Sequence, residues 1–159
     1  MKTKQEALIL IKPEAMMRLR WIIGQIKGTG GKIIWTKSVT LNYEILRIFY
    51  PNITVNSLLW HATMNHLNGQ PVAVLIIEGE GIIARVSALV GQDVNPERCV
   101  NNTLRHILWR EFDLTVEHLG NGLRYFRNFV HCSRDQKEAA SQIVCVKDPK
   151  IMKFPLRIP

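Results

Sequence analysis

Ala7-Leu8-Ile9-Leu10-Ile11 is an unbroken apolar run closed by Lys12-Pro13. A half-solvated strand alternates apolar with polar residues, so a strand with no polar position has to be covered on both faces. Proline cannot donate to a ladder, which stops the strand at Lys12. The chain is thereby committed to a central strand, and a central strand needs a sheet with further layers packed on it.

The remaining segments supply those layers. From Glu14 to Lys27, Met17, Leu19, Ile22, Ile23 and Ile26 recur at helical spacing, and Gly28-Thr29-Gly30-Gly31 supplies the stop. Lys32 to Leu41 is rich in β-branched and aromatic residues and reads as a second strand. Tyr43 to Leu67 is helical but broken near Pro51-Asn52. Pro71 to Ile77 is a third strand, Gly79-Glu80-Gly81 a turn, and Ile82 to Val90 a helix with Ile82, Val86, Leu89 and Val90 inward, stopped by Gly91. Residues 92–126 read as mostly irregular, with Asn95-Pro96, Asn101-Asn102 and Gly120-Asn121-Gly122 as turns, and a loop of that length is usually functional. Phe126 to Cys132 is expected as a fourth strand and Arg134 to Val146 as a helix. Strands alternating with helices predict an α/β (α+β) fold: a four-stranded sheet with helices packed on it, in a ferredoxin-like split βαβ sandwich.

At 159 residues the chain suits one domain, 1–159, with a core over about 7–146 and a tail over 147–159. Its 21 Lys and Arg exceed its 13 Asp and Glu by enough to give a formal charge of +8, which favours phosphate-bearing partners. Cys99, Cys132 and Cys145 are odd in number and lack CxxC spacing, against a disulfide framework or a structural zinc site, so a reducing cytoplasm is expected. No segment reaches the roughly 18 apolar residues of a membrane span, and a soluble protein is expected.

The chemistry-bearing segment is Asn128-Phe129-Val130-His131-Cys132-Ser133. An imidazole leaving a strand beside a hydroxyl and an amide can be a nucleophile, and Lys12, leaving another strand, can hold the phosphate it would attack. His61, His66, His106 and His118 lack acidic or cysteine partners at ligand spacing and read as surface or packing residues, with no protein-held metal. Cys132 reads as a small apolar filler, and Arg124, Arg127 and Arg134 as a solvated basic face that could help recruit nucleotide.

Five segments in order carry a resemblance: Ile11-Lys12-Pro13-Glu14; Gly69-Gln70-Pro71-Val72-Ala73-Val74 with Glu78-Gly79; Gly91-Gln92-Asp93-Val94-Asn95-Pro96; Thr103-Leu104-Arg105; and Asn128 to Ser133. On these the chain, from about Ala7 to Val146, resembles the nucleoside diphosphate kinases, which move a terminal phosphate between nucleotides through a phosphohistidine. The resemblance implies His131 as phosphate acceptor, Lys12 and Arg105 as phosphate holders, Asn128 on ribose and phosphate, and Tyr50 on the nucleotide and lysine. It further implies magnesium bound through the nucleotide phosphates, nucleoside di- and triphosphates as partners, and a homo-oligomer, hexameric or tetrameric and built from dimers. Ser133 and Gln142 are supporting positions, Gln142 standing where the family has the glutamate that orients the histidine. Leu59 or Trp60 falls where the family stacks a phenylalanine on the base, with core packing the rival reading for Trp60.

The sequence also departs from the family pattern. Asn102-Thr103-Leu104-Arg105-His106 replaces Gly-Thr-Ile-Arg-Gly, and Ser87 stands where the family has a phosphate-binding arginine, for which Arg85 is the nearest substitute. Val94 or Asp93 occupies the threonine position, and about a dozen extra residues lie within roughly 109–127. An amide at 142 can hydrogen-bond an imidazole without offsetting its charge. These departures keep open an alternative, a catalytically impaired relative that binds nucleotide or a protein. Nucleic-acid binding is possible from the charge but not favoured, because no aromatic-rich RNA-binding strand is visible.

Overall fold

The computed structural model describes residues 3–112 and 116–151. Its centre is a four-stranded antiparallel sheet in the order β2-β3-β1-β6, made of β1 (Lys4–Ile11), β2 (Lys32–Thr40), β3 (Pro71–Glu80) and β6 (Val130–Cys132). This is the ferredoxin-like arrangement expected. Ala7 to Ile11 are essentially inaccessible although their side chains alternate between faces, so β1 is covered above and below. The cover is helical. Packed on β1 are α4 (Ile82–Val90) and α6 (Gln136–Lys147); α1 (Leu19–Lys27) leans on α4, and α2 (Tyr43–Phe49) on α6.

Local chemistry explains most boundaries. Asn42 Oδ1 accepts from Ile45 N to cap α2, and Ser57 Oγ accepts from Trp60 N to cap α3 (Leu58–Leu67), so the helical region does break around Pro51. Gly31 has to be glycine for space: a Cβ there would stand 2.5 Å from both Ile77 Cγ2 and Ile82 Cδ1. Ile82 to Val90 is helical as read, and β3 runs on through Gly79 and Glu80, leaving Gly81 (φ 59°) to make the turn.

Three expectations need correction. The segment from Glu14 begins as a 3-10 helix, Pro13–Arg18, before α1. With three residues per turn its phase differs from an α-helix, and Met17 ends up 79% exposed. Residues 92–126 are far from irregular: Pro96–Arg98 is a 3-10 turn, α5 spans Leu104–Phe112, and β4 (Glu117–Gly120) pairs with β5 (Leu123–Tyr125). Their loop, Asn121-Gly122, has φ of 50° and 74°, as a two-residue hairpin turn requires. Finally, the fourth strand is only Val130–Cys132, because Phe129 at φ 63° breaks the extended run. The proline-containing tail after residue 151 lies outside the described residues.

Candidate active site

His131 sits in β6 opposite Leu10 of β1, and Lys12 is the first residue past the end of β1. Lys12 N donates to Phe129 O at 2.8 Å, so the left-handed bend before His131 is tied directly to the end of the central strand. The Lys12 ammonium donates to Asn128 Oδ1 at 2.6 Å and lies 5.7 Å from the centre of the Tyr50 ring. Tyr50 and Phe49 flank the imidazole at 5.8 and 5.4 Å between ring centres. These groups line one cleft of about 610 Å³, together with Arg105, Arg134 and Leu59. That is the size of a small-molecule site.

Arg105 is anchored as well as presented. Its Nε and Nη2 donate to Val130 O, and its Nη1 to Gly91 O and Asp93 O. Four of the five guanidinium N–H groups are thus spent on backbone carbonyls, leaving one on Nη2 for a ligand. Gly91 permits this approach at φ 105°, where a Cβ would meet Cys99 Sγ at 2.8 Å. Lys12 is 3% and Arg105 8% exposed, yet neither has a carboxylate at ion-pair distance among the described residues. Buried cations without a contacting carboxylate are costly, and an anionic ligand would relieve the cost.

The imidazole contrasts with its neighbours. Burial, then the charges of Lys12 and Arg105, push the His131 pKa down from 6.5 to about 3, against a smaller upward pull from Gln142. The ring is therefore neutral at physiological pH, as a nucleophile has to be. An unfolded imidazole takes its proton near 6.5 and the folded one near 3, so across that window the unfolded state binds the extra proton and stability falls as pH drops. In an NMR titration the His131 ring should stay unprotonated from about pH 8 to about pH 5; a midpoint near the ordinary histidine value would contradict this environment.

Of the positions singled out from sequence, His131, Lys12, Tyr50, Arg105 and Asn128 converge on the cleft. Gln142 reaches the imidazole, its Nε2 standing 3.0 Å from His131 Nε2. Ser133 supports the site through the backbone: its Oγ accepts from Leu8 N at 3.0 Å and its N donates to Leu8 O, clamping β6 to β1. Arg85 is a correction. It points away and donates to Thr29 O and Glu80 O, because two residues along α4 turn it about 200° from Ser87, which does line the cleft. Trp60 is another: it is buried under the Arg47 guanidinium and the edge of Tyr43, and Leu59 faces the cleft instead.

Arg134 is solvated, as its basic stretch suggests, and it also lines the cleft as a third cation, where it could help recruit nucleotide. His66, read as surface or packing, bonds Tyr125 Oη through Nδ1 and Glu14 through Nε2, both at 2.8 Å. Glu14 in turn accepts from Phe129 N at 3.1 Å, so this buried chain links the β4-β5 hairpin to the bend ahead of His131. Burial alone would raise the Glu14 carboxyl; the His66 hydrogen bond and the charge of Lys12 outweigh it and hold the pKa below its usual value. Cys132 is the neutral filler expected, its thiol pushed by burial to about 11.

Comparison with known proteins agrees with this geometry. The family model for nucleoside diphosphate kinase matches residues 5–150. The nucleoside diphosphate kinase of Clostridium perfringens is 28% identical over 151 residues, 92% of this chain and 93% of its own length. That of Archaeoglobus fulgidus is 25% identical over 141 residues, 87% of this chain and 83% of its own. Among solved structures, the Borrelia burgdorferi nucleoside diphosphate kinase, a transition-state mimic with bound vanadate and ADP, superposes with a TM-score of 0.72 at 17% identity, covering 98% of this chain and 92% of that one. The Aquifex aeolicus enzyme gives 0.72 at 20% identity, over 94% of this chain and 99% of its own. At such identities the structural likeness speaks for the fold.

Proposed function

Because the chain belongs to the nucleoside diphosphate kinase family, we propose that it moves the γ-phosphate of a nucleoside triphosphate to a nucleoside diphosphate through a phosphohistidine at His131. The observation that carries this reading is the pair of buried cations, Lys12 and Arg105, with no ion-pair contact among the described residues, lining a nucleotide-sized cleft with a neutral imidazole. Phosphoryl transfer asks little covalent chemistry of a protein beyond a placed nucleophile and positive charge on the equatorial oxygens.

In this reading the triphosphate enters tail first. Lys12, the remaining N–H of Arg105, and Arg134 meet its phosphate oxygens; Asn128, already bonded to Lys12, meets ribose and phosphate. Tyr50, whose buried hydroxyl has no partner among the described residues, meets the nucleotide, and Leu59 offers an apolar contact to the base. An imidazole nitrogen forms a bond to the γ-phosphorus, the bond to the bridging oxygen breaks, and its electron pair leaves on the diphosphate. A second diphosphate reverses the step and collects the phosphoryl group. Magnesium arrives as part of the substrate, held by nucleotide phosphates. Arg134 takes up the charge that Ser87 lacks, which favours an active enzyme over an impaired relative.

The same reading covers the whole chain as one domain, supported by a single hydrophobic cluster. Self-association is supported by the edge position of β2, which shows Ile34 to solvent. A cytoplasmic setting is supported by three buried, unpaired cysteines. Among the described residues no helix is long and apolar enough to cross a membrane.

Initial rates with both nucleotides varied test the mechanism. A covalent relay predicts parallel double-reciprocal lines. Intersecting lines, the mark of direct transfer in a ternary complex, would contradict it, as would nucleotide binding without any turnover.

A further inference from the structure

Position 142 is an amide, so the carboxylate that would balance an imidazole gaining charge is missing from the place where the resemblance puts it. The helix supplies another. Asp135 Oδ1 accepts from Glu138 N at 2.8 Å to start α6, which sets Glu138 in its first turn and Gln142 one turn later on the same face. Gln142 Nε2 donates to Glu138 Oε1 at 3.0 Å while standing 3.0 Å from His131 Nε2, and Glu138 Oε1 itself is 3.8 Å from that ring nitrogen. Glu138 Oε2 accepts from Arg134 N and Arg134 Nε at 2.9 and 3.3 Å. Both carboxylate oxygens are thus held, one turned toward the imidazole, and the side chain is only 15% exposed. Among the described residues no other carboxylate lies within ion-pair distance of the ring.

The geometry points to Glu138 as a positioning residue for the transfer: its carboxylate, braced by Gln142 and Arg134, offsets the positive charge that His131 gains as it takes the phosphoryl group. The inference rests on the phosphohistidine reading. His131 Nε2 faces α6, so Nδ1 is the nitrogen left for phosphorus. When the Nδ1 lone pair forms the N–P bond and the P–O electrons leave with the diphosphate, the ring keeps its proton on Nε2 and becomes cationic. To accept that N–H the Gln142 amide has to turn its unpartnered Oε1 to the ring in place of Nε2, which leaves Glu138 Oε1 free to face the cation, and the amide itself carries no charge. A carboxylate within 4 Å in a buried site does. The work of one glutamate is divided between two residues a helical turn apart.

Glu138→Gln is the direct test, because it keeps the size of the side chain and an acceptor oxygen for Arg134 while removing the charge. By rapid quench with γ-labelled ATP, phosphoenzyme formation should slow about 10- to 100-fold, with ADP affinity within about threefold of the parent. The exchanged variant, Glu138→Gln with Gln142→Glu, puts the charge back beside the ring and should recover to within about threefold of the parent rate. A purely structural role for Glu138 would give no such rescue, since the exchanged variant still lacks it. Glu138→Gln forming phosphoenzyme within about twofold of the parent rate, or an exchanged variant no faster than the single one, overturns the proposal. A parent protein that takes no label at all refutes instead the phosphohistidine reading beneath it.

Discussion

Replacing His131 with alanine should abolish labelling of the protein by γ-labelled ATP and cut turnover by about 10⁴-fold or more. The loss falls on chemistry, because the groups that meet the nucleotide lie elsewhere: Lys12 at the end of β1, Asn128 ahead of the bend, Arg105 on α5. Affinity for a nucleoside diphosphate is expected to stay within about threefold, since removing a neutral imidazole alters neither cation. Filter-bound label and calorimetric titration read the two quantities separately. Label that persists in the alanine variant would move the acceptor to another residue.

Arg105→Met should be the most damaging substitution for stability. The guanidinium satisfies Val130 O, Gly91 O and Asp93 O at once, joining β6, the end of α4 and the segment that follows it. Methionine fills the volume but donates nothing; Asp93 O keeps the Cys99 thiol, and each of the two carbonyls left stranded costs about 1–3 kcal/mol, so a loss of about 2–6 kcal/mol is expected. Small domains have only about 5–15 kcal/mol in total. Urea unfolding measures the difference, with lysine recovering part of it because one ammonium reaches fewer of the three carbonyls. A methionine variant within about 1 kcal/mol of the parent would show that the guanidinium does not hold these segments together.

Much of this architecture could be read from residues because local signals and burial agree. Ala7 to Ile11 has no polar position and is buried on both faces; Ile82 to Val90 is helical within the bounds its apolar spacing and Gly91 set. What escaped was decided by features that periodicity does not carry. Phe129 takes a left-handed φ without being glycine, so nothing in Phe126 to Cys132 announced that the strand would begin only at Val130. Asn121-Gly122 did announce a turn, but the flanking strands are three or four residues long, too short for alternation to register. Leu104 to Phe112 has Leu104 and Leu108 buried one turn apart, a signal masked by Arg105 and His106, which are buried beside them although polar.

The site divides along the same line. His131, Lys12, Arg105 and Asn128 were legible because their segments occur in a fixed order, and order survives divergence. Arg85 was reached by counting along a helix, and the rotation of α4 sends it elsewhere. Arg134 stands in a solvated basic stretch and Glu138 carries no signal of its own; only the packing of α6 on β1 brings Glu138, with Arg134 bonded to it, within 3.8 Å of the ring. Their importance depends on a tertiary contact, so no spacing rule could have found them.

The central claim is that the imidazole of His131 carries the phosphoryl group between two nucleotides. Protein exposed to γ-labelled ATP, freed of nucleotide and then given an unlabelled nucleoside diphosphate of a different base tests it most directly. The account predicts acid-labile, base-stable label on the protein that passes quantitatively to the new triphosphate. Label that never forms, or that stays on the protein when the second diphosphate is added, would contradict it.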